Sequence, residues 1–126
     1  VLGEALKDRF VWIKLTYQSE DEERDIVRVH TNCKDDRVIQ AAVKITRATR
    51  NVKDIRRGSS VRGAIDITQM VMAFGAENAW DDIEAWIEIC IAALVTKIDV
   101  EEGIGKKPED ILSLLARGVL TRDFFP

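Results

Sequence analysis

Arg56-Arg57-Gly58-Ser59-Ser60-Val61-Arg62-Gly63-Ala64-Ile65-Asp66 ends a basic loop and opens a helix. Ser60 stands where an N-cap is needed, and Gly58 can take the turn before it. Continued at the helical period, the segment places Val61, Ile65, Thr68 and Met72 on one side, Ala64 and Val71 beside them, and Ile67, Met70 and Phe74 beyond. Arg62, Asp66 and Gln69 alone line its polar stripe. A helix apolar nearly all round is the central, buried helix of a helical domain, so the long cation on its first turn must reach solvent, a partner or an anion. Helix N-termini attract anions, phosphate above all. A pair with Asp66 is the competing role for Arg62, although the Arg-first order is the weaker orientation on a helix.

Around this segment charge is unevenly spread. Between Lys44 and Arg62 stand Lys44, Arg47, Arg50, Lys53, Arg56, Arg57 and Arg62 against Asp54, a local charge of +6 that leaves −9 for the rest of a chain whose net charge is −3. A basic patch in an acidic protein suits a phosphate-bearing ligand, nucleic acid or an acidic partner, and a plain solvated face is the rival explanation. No aromatic residue interleaves with these arginines, which argues against binding to single-stranded nucleic acid.

The length of 126 residues, with 46% hydrophobic and 33% charged, fits one globular domain with a sizeable core. The longest apolar stretch, residues 83–95, is interrupted by Glu84 and Glu88, so neither a membrane span nor a secretory signal is read, and a cytoplasmic location is expected. Cys33 and Cys90 lie far apart, one in a connector and one on an apolar helical face, with no disulfide framework or paired metal-ligand spacing. With His30 as the sole histidine, no Ser or Cys gains a triad, which argues against self-contained hydrolase chemistry.

The first residue is not Met and lies in an apolar segment, which is read as the start of a fragment or processed product. Residues 1–10 read as a short helix or turn. Val11, Ile13, Leu15 and Tyr17 alternate with Trp12, Lys14 and Thr16, the one strand pattern in the chain, and a lone strand needs partners from elsewhere. Ser19-Glu20-Asp21-Glu22 is a capping box for a helix to about Thr31. Residues 36–50 form an amphipathic helix with Val38, Ala42 and Ile45 inward and Arg37, Gln40, Lys44 and Arg47 opposite. The helix after Ser60 should stop at Gly75. A single helix over residues 79–98 presents Trp80, Ile83, Trp86, Ile87, Cys90, Ile91 and Leu94 to the core, and a last one begins at Pro108, buries Ile111, Leu114 and Leu115, and ends at Gly118. The expected fold is therefore mainly α, four or five helices after one short strand.

The order of strand, acidic capping box, basic helix and Gly-Ser-Ser-Val-Arg-Gly at a helix start resembles the small helical lid of an AAA+ ATPase, and more narrowly the MoxR family. The resemblance is carried by residues 4–10 (Glu4-Ala5-Leu6-Lys7-Asp8-Arg9-Phe10), residues 16–23 (Thr16-Tyr17-Gln18-Ser19-Glu20-Asp21-Glu22-Glu23) and residues 55–66. Residues 92–98 with Lys107-Pro108-Glu109-Asp110 add to it. It implies that residues 1–17 end an α/β core, contributing the arginine-finger segment and last strand, and that residues 18–126 are the lid. Arg9 matches the arginine finger that reaches a neighbouring subunit's nucleotide, and Arg62 the second sensor arginine that reaches its own subunit's nucleotide, with Ser60 and Val61 at the helix start beside it. The family usually has Pro where Val61 stands and an apolar residue at Lys7; neither departure removes a needed charge.

The resemblance further implies ATP and Mg in the full-length protein, a homo-oligomeric, hexameric ring, remodelling of client proteins, and no membrane or nucleic-acid partner. The chain itself has no Gly-x-x-x-x-Gly-Lys-Ser/Thr phosphate loop. Gly103-Ile104-Gly105-Lys106-Lys107 has the wrong spacing and no following Ser or Thr, so it is read as an interhelical loop. Hydrolysis by these residues alone is not expected. The rival reading is a helical protein-interaction domain that docks an acidic partner through the basic patch and has no nucleotide function.

Overall fold

The computed structural model describes residues 17–126, and over them the protein is mainly helical. Five helices of twelve residues or more and one of four follow in order: α1 (Glu20–Thr31), α2 (Asp36–Ala48), α3 (Val61–Phe74), α4 (Ala76–Ala79), α5 (Ile83–Leu94) and α6 (Pro108–Asp123). Two short strands, β1 (Ile55–Arg57) and β2 (Asp99–Val100), form an antiparallel ribbon between α2 and α3 on one side and α5 and α6 on the other. The expected strand at residues 11–17 and the finger residue Arg9 lie outside the described residues, apart from Tyr17, which precedes α1 in irregular structure.

Each helix start has a chemical cause. Ser19 Oγ accepts the Glu22 amide at 3.1 Å while the Ser19 amide donates to Glu22 Oε1 at 3.2 Å, closing the expected capping box. α1 ends at Asn32, whose φ of 57° is the left-handed conformation that Asn tolerates. Asp35 caps α2 by accepting the amides of Arg37 and Val38. Pro108 opens α6, where a missing amide costs nothing.

α3 is central: it packs against α1, α2 and α5, while α6 closes the bundle against α5 and α2. Gly63, Ala64, Ile65, Ile67, Thr68 and Val71 of α3 are buried against Val27 of α1, Val38, Ile39, Ala42 and Ile45 of α2, and Trp86, Cys90 and Leu94 of α5. The all-round burial expected of α3 fails in its last turns. Met70, Met72 and Phe74 are between 37% and 42% exposed, while Val71 among them stays buried on the inner face.

Three boundaries differ from expectation. The helix expected over residues 79–98 is shorter: α4 ends at Ala79, α5 starts only at Ile83, where Asp82 accepts the Ala85 amide at 3.1 Å, and it stops at Leu94. The break turns Trp80 out of helical register so that its Nε1 donates to Asp35 at 3.0 Å and its ring packs on Trp86, Phe124 and Phe125. α6 does not stop at Gly118 but runs to Asp123, since Val119, Leu120 and Phe124 beyond the glycine are buried and outweigh its cost of about 1 kcal/mol. Leu114, expected inward, is 77% exposed. The β1–β2 ribbon is the third difference: three residues against two are too few for alternation to register in sequence.

Candidate functional site

The turn before α3 is held from below by the end of α2. Thr49 Oγ1 accepts the Ser59 amide at 2.9 Å, and Arg50 Nε donates to the Ser59 carbonyl at 2.8 Å. The two remaining nitrogens of Arg50 donate to Glu23 of α1 at 2.9 and 2.8 Å, a two-pronged pair that fits the planar guanidinium. Arg47 Nη1 also donates to Glu23, at 2.6 Å. Glu23 is 1% exposed, so one buried carboxylate is answered by two arginines. The ring of Tyr17 lies 3.9 Å from the face of the Arg50 guanidinium.

The glycines of the turn are there for space. A Cβ on Gly58 would stand 2.7 Å from the Arg50 backbone, and one on Gly63 would stand 2.3 Å from Ser59 Oγ and 2.6 Å from Leu94 Cδ2. Gly58 therefore lets the chain cross the end of α2, a close approach and not the turn conformation expected of it. Gly63 lets the first turn of α3 seat against α5.

Ser60 caps α3 as expected, its Oγ accepting the Arg62 amide at 3.3 Å, and Val61, partly buried, is the first helical residue. Arg62 lies on the outer side of that turn with its side chain 63% exposed. Its Nε is 3.2 Å from Asp66 Oδ1, and the other oxygen of Asp66 is 2.6 Å from Lys97 Nζ. Lys97, just past the end of α5, also donates to the Ala93 carbonyl at 2.6 Å. Tyr17, Arg57, Gly58, Ser60, Arg62 and Lys97 line a recess of about 400 Å³. Both roles weighed for Arg62 thus meet in one geometry: it pairs with Asp66, and it faces a recess with two further cations at the positive end of the central helix.

The basic run is far less bare than its sequence charge. Six of its seven cations have a carboxylate within 4.0 Å: Lys44 has Asp123, Arg47 and Arg50 share Glu23, Arg56 and Arg57 share Asp99, and Arg62 has Asp66. The exception among the described residues is Lys53. Glu23, Asp99 and Asp123, distant in sequence, and Asp66, one helical turn away, divide the run into local pairs.

Other chemistry finds no centre among the described residues. Burial pushes the Cys90 thiol up to about 12 and also raises Cys33, so neither offers a thiolate near neutral pH. His30 is exposed on the outer side of α1. Among the described residues no group of three or more His, Cys, Asp or Glu stands together as a metal site, and no helix is long and apolar enough to cross a membrane.

Arg62, Ser60 and Val61, expected from the sequence as site residues, stand in succession at the start of α3, while Arg9 lies outside the described residues. Lys97, Asp66 as a bridging carboxylate, and the Glu23–Arg50 support were not read as parts of the site. One signal for Glu23 was present: it shares a stripe with Val27 and Thr31, the buried face of α1. A carboxylate on such a stripe calls for a buried cation.

No protein-family model matches the chain, and no solved structure matches it. An uncharacterized protein of Staphylococcus haemolyticus (strain JCSC1435) is 27% identical to it over 82 residues. That stretch spans 62% of this chain and 31% of the length of that curated relative.

Proposed function

We propose that the chain is the helical lid, with the segment that leads into it, of a MoxR-like AAA+ ATPase. In this reading residues 1–17 end the nucleotide-binding core and residues 18–126 form the lid, in a protein that assembles as a homo-oligomeric, hexameric ring and remodels client proteins with ATP and Mg. The observation that carries it is the position of Arg62: on the first turn of the central helix, mostly exposed, and at the rim of a recess lined by Arg57 and Lys97. Transfer of a phosphoryl group spreads negative charge over its oxygens, so catalysis rests on placed cations, and a guanidinium stays charged and offers a planar fork. Arg62 would supply that fork to its own subunit's nucleotide and Arg9 to a neighbour's. Ser60 and Val61 set the start of the helix that aims Arg62. The pairing of nearly the whole basic run with acidic residues counts against the rival, an interaction domain that docks an acidic partner through an open basic face.

The test is ATP hydrolysis by the full-length protein. Arg9→Ala and Arg62→Ala should each reduce the rate, an arginine finger in trans being worth about a thousandfold or more. Mixing separates the two. A subunit lacking Arg9 keeps its own site and regains activity beside a subunit with an intact finger and a dead phosphate loop, whereas a subunit lacking Arg62 does not. A wild-type rate in Arg62→Ala would remove the assignment.

A further inference from the structure

The recess at the start of α3 holds more charge than one sensor arginine needs, and the surplus is organised around Asp66. Its two oxygens are divided between two cations, Arg62 Nε at 3.2 Å and Lys97 Nζ at 2.6 Å, and its side chain is 24% exposed. Arg62 meets Asp66 through Nε, and among the described residues its two terminal nitrogens make no hydrogen bond to protein. They are the part of the group that grips phosphate oxygens in pairs. Lys97 lines the same recess from the end of α5, and Arg57, held by Asp99 at 2.9 Å, lines it from β1. Asp66 thus neutralises the two cations that an entering anion would need.

We propose that Asp66 is the internal counter-ion of a polyphosphate site, and that Lys97 is its second phosphate-binding cation beside Arg62. The identity of the anion rests on the nucleotide reading above. An entering polyphosphate takes the terminal nitrogens of Arg62 first and then competes with Asp66 for Lys97, so the carboxylate sets affinity by opposing the ligand. Because Lys97 follows α5 and Arg62 begins α3, the exchange also changes what ties these two helices together at that end.

The experiment is titration of the chain with inorganic tripolyphosphate, followed by amide NMR at constant ionic strength, with sulfate as the control anion. Saturable shifts should appear at residues 61–63 and at Lys97, with a Kd of about 1 mM, as expected for two charge-assisted contacts. Asp66→Asn should tighten the Kd about fivefold and Lys97→Gln should weaken it about fivefold, the effect of one unit charge near 4 Å in a watery setting. Unchanged affinity in Asp66→Asn, or shifts spread evenly over exposed lysines such as Lys34 and Lys53, would overturn the proposal. An Asp66→Asn chain that no longer folds would place Asp66 in the scaffold and overturn it too, with Lys97→Gln still reporting the anion contact by itself. The two ideas fail separately. Tripolyphosphate binding with the expected Asp66 response, in a protein whose full length hydrolyses no ATP, removes the ATPase and keeps the counter-ion; hydrolysis with no Asp66 response does the reverse.

Discussion

Glu23 and Asp66 each hold two cations on opposite sides of the turn before α3, and burial makes them different devices. Glu23 meets Arg47 and Arg50 beneath the turn before α3, 1% exposed, with Arg50 itself only 7% exposed and its remaining donor spent on Ser59. Asp66 meets Arg62 and Lys97 above the same turn, with all three side chains between 22% and 63% exposed. In the first cluster Glu23 and Arg50 have traded water for each other, so neither can leave without stranding its partner, while Arg47, 31% exposed, joins them from the rim. In the second no side chain is fully buried and Arg62 is mostly exposed, so its pair with Asp66 is weak and open to exchange for a ligand. The turn between them, residues 58–60, is thus clamped on its inner side and open to exchange on its outer side.

The sharpest way to break this comparison is to remove the inner carboxylate. Glu23→Ala leaves the buried Arg50 without its counter-charge, and breaking a buried pair from one side costs about 3–5 kcal/mol. Urea denaturation should show that loss, while the double change Glu23→Leu with Arg50→Met should recover much of it because no charge is then stranded. A loss below about 1 kcal/mol, the size of an exposed pair, would erase the distinction between the two clusters.

A smaller effect is expected where the chain crosses the end of α2. Gly58→Ala puts a methyl 2.7 Å from the backbone of Arg50, and backbone cannot swing aside as a side-chain tip can. The expected loss is about 1–3 kcal/mol, the usual range for overpacking. If the chain is the lid proposed above, the variant should also shift the full-length protein's response to nucleotide, since the displaced turn sets the start of the helix that carries Arg62. A Gly58→Ala protein of wild-type stability would mean that the turn is not clamped from beneath.

The same contrast decides what could be read from the sequence. Caps are local chemistry, and Ser19, Ser60, Gly75 and Pro108 all stand where three or four neighbouring residues dictate. The amphipathic stripe of α2 was equally plain, with Val38, Ala42 and Ile45 buried. What failed was decided at a distance. Trp80 leaves helical register because Asp35, 45 residues earlier, takes its indole proton and because Phe124 and Phe125 return to cover it. Gly118, a stop by local rule, is overridden by Val119, Leu120 and Phe124 packing beyond it. The basic run looked open because Glu23, Asp66, Asp99 and Asp123, which answer it, are scattered along the chain. Arg62 could be read because its helix start is local. Lys97 could not, because only the packing of α5 on α3 brings it there.

The smallest expected effect is the one that bears most on function. Arg62→Ala removes a side chain 63% exposed whose one protein partner, Asp66, keeps Lys97 at 2.6 Å. Exposed pairs of this kind contribute about 0–1 kcal/mol, and an Arg-before-Asp pair four apart on a helix belongs at the low end. Alanine is also the better helix former, which offsets part of even that. Thermal or urea denaturation should therefore scarcely separate Arg62→Ala from wild type, in contrast to Glu23→Ala on the buried side of the turn before α3. The pair of measurements has a definite failing outcome. If Arg62→Ala loses 2 kcal/mol or more, roughly twice the ceiling for an exposed pair, Arg62 is part of the scaffold, the outer cluster is no more exchangeable than the inner one, and the recess loses the cation on which its reading as an anion site depends.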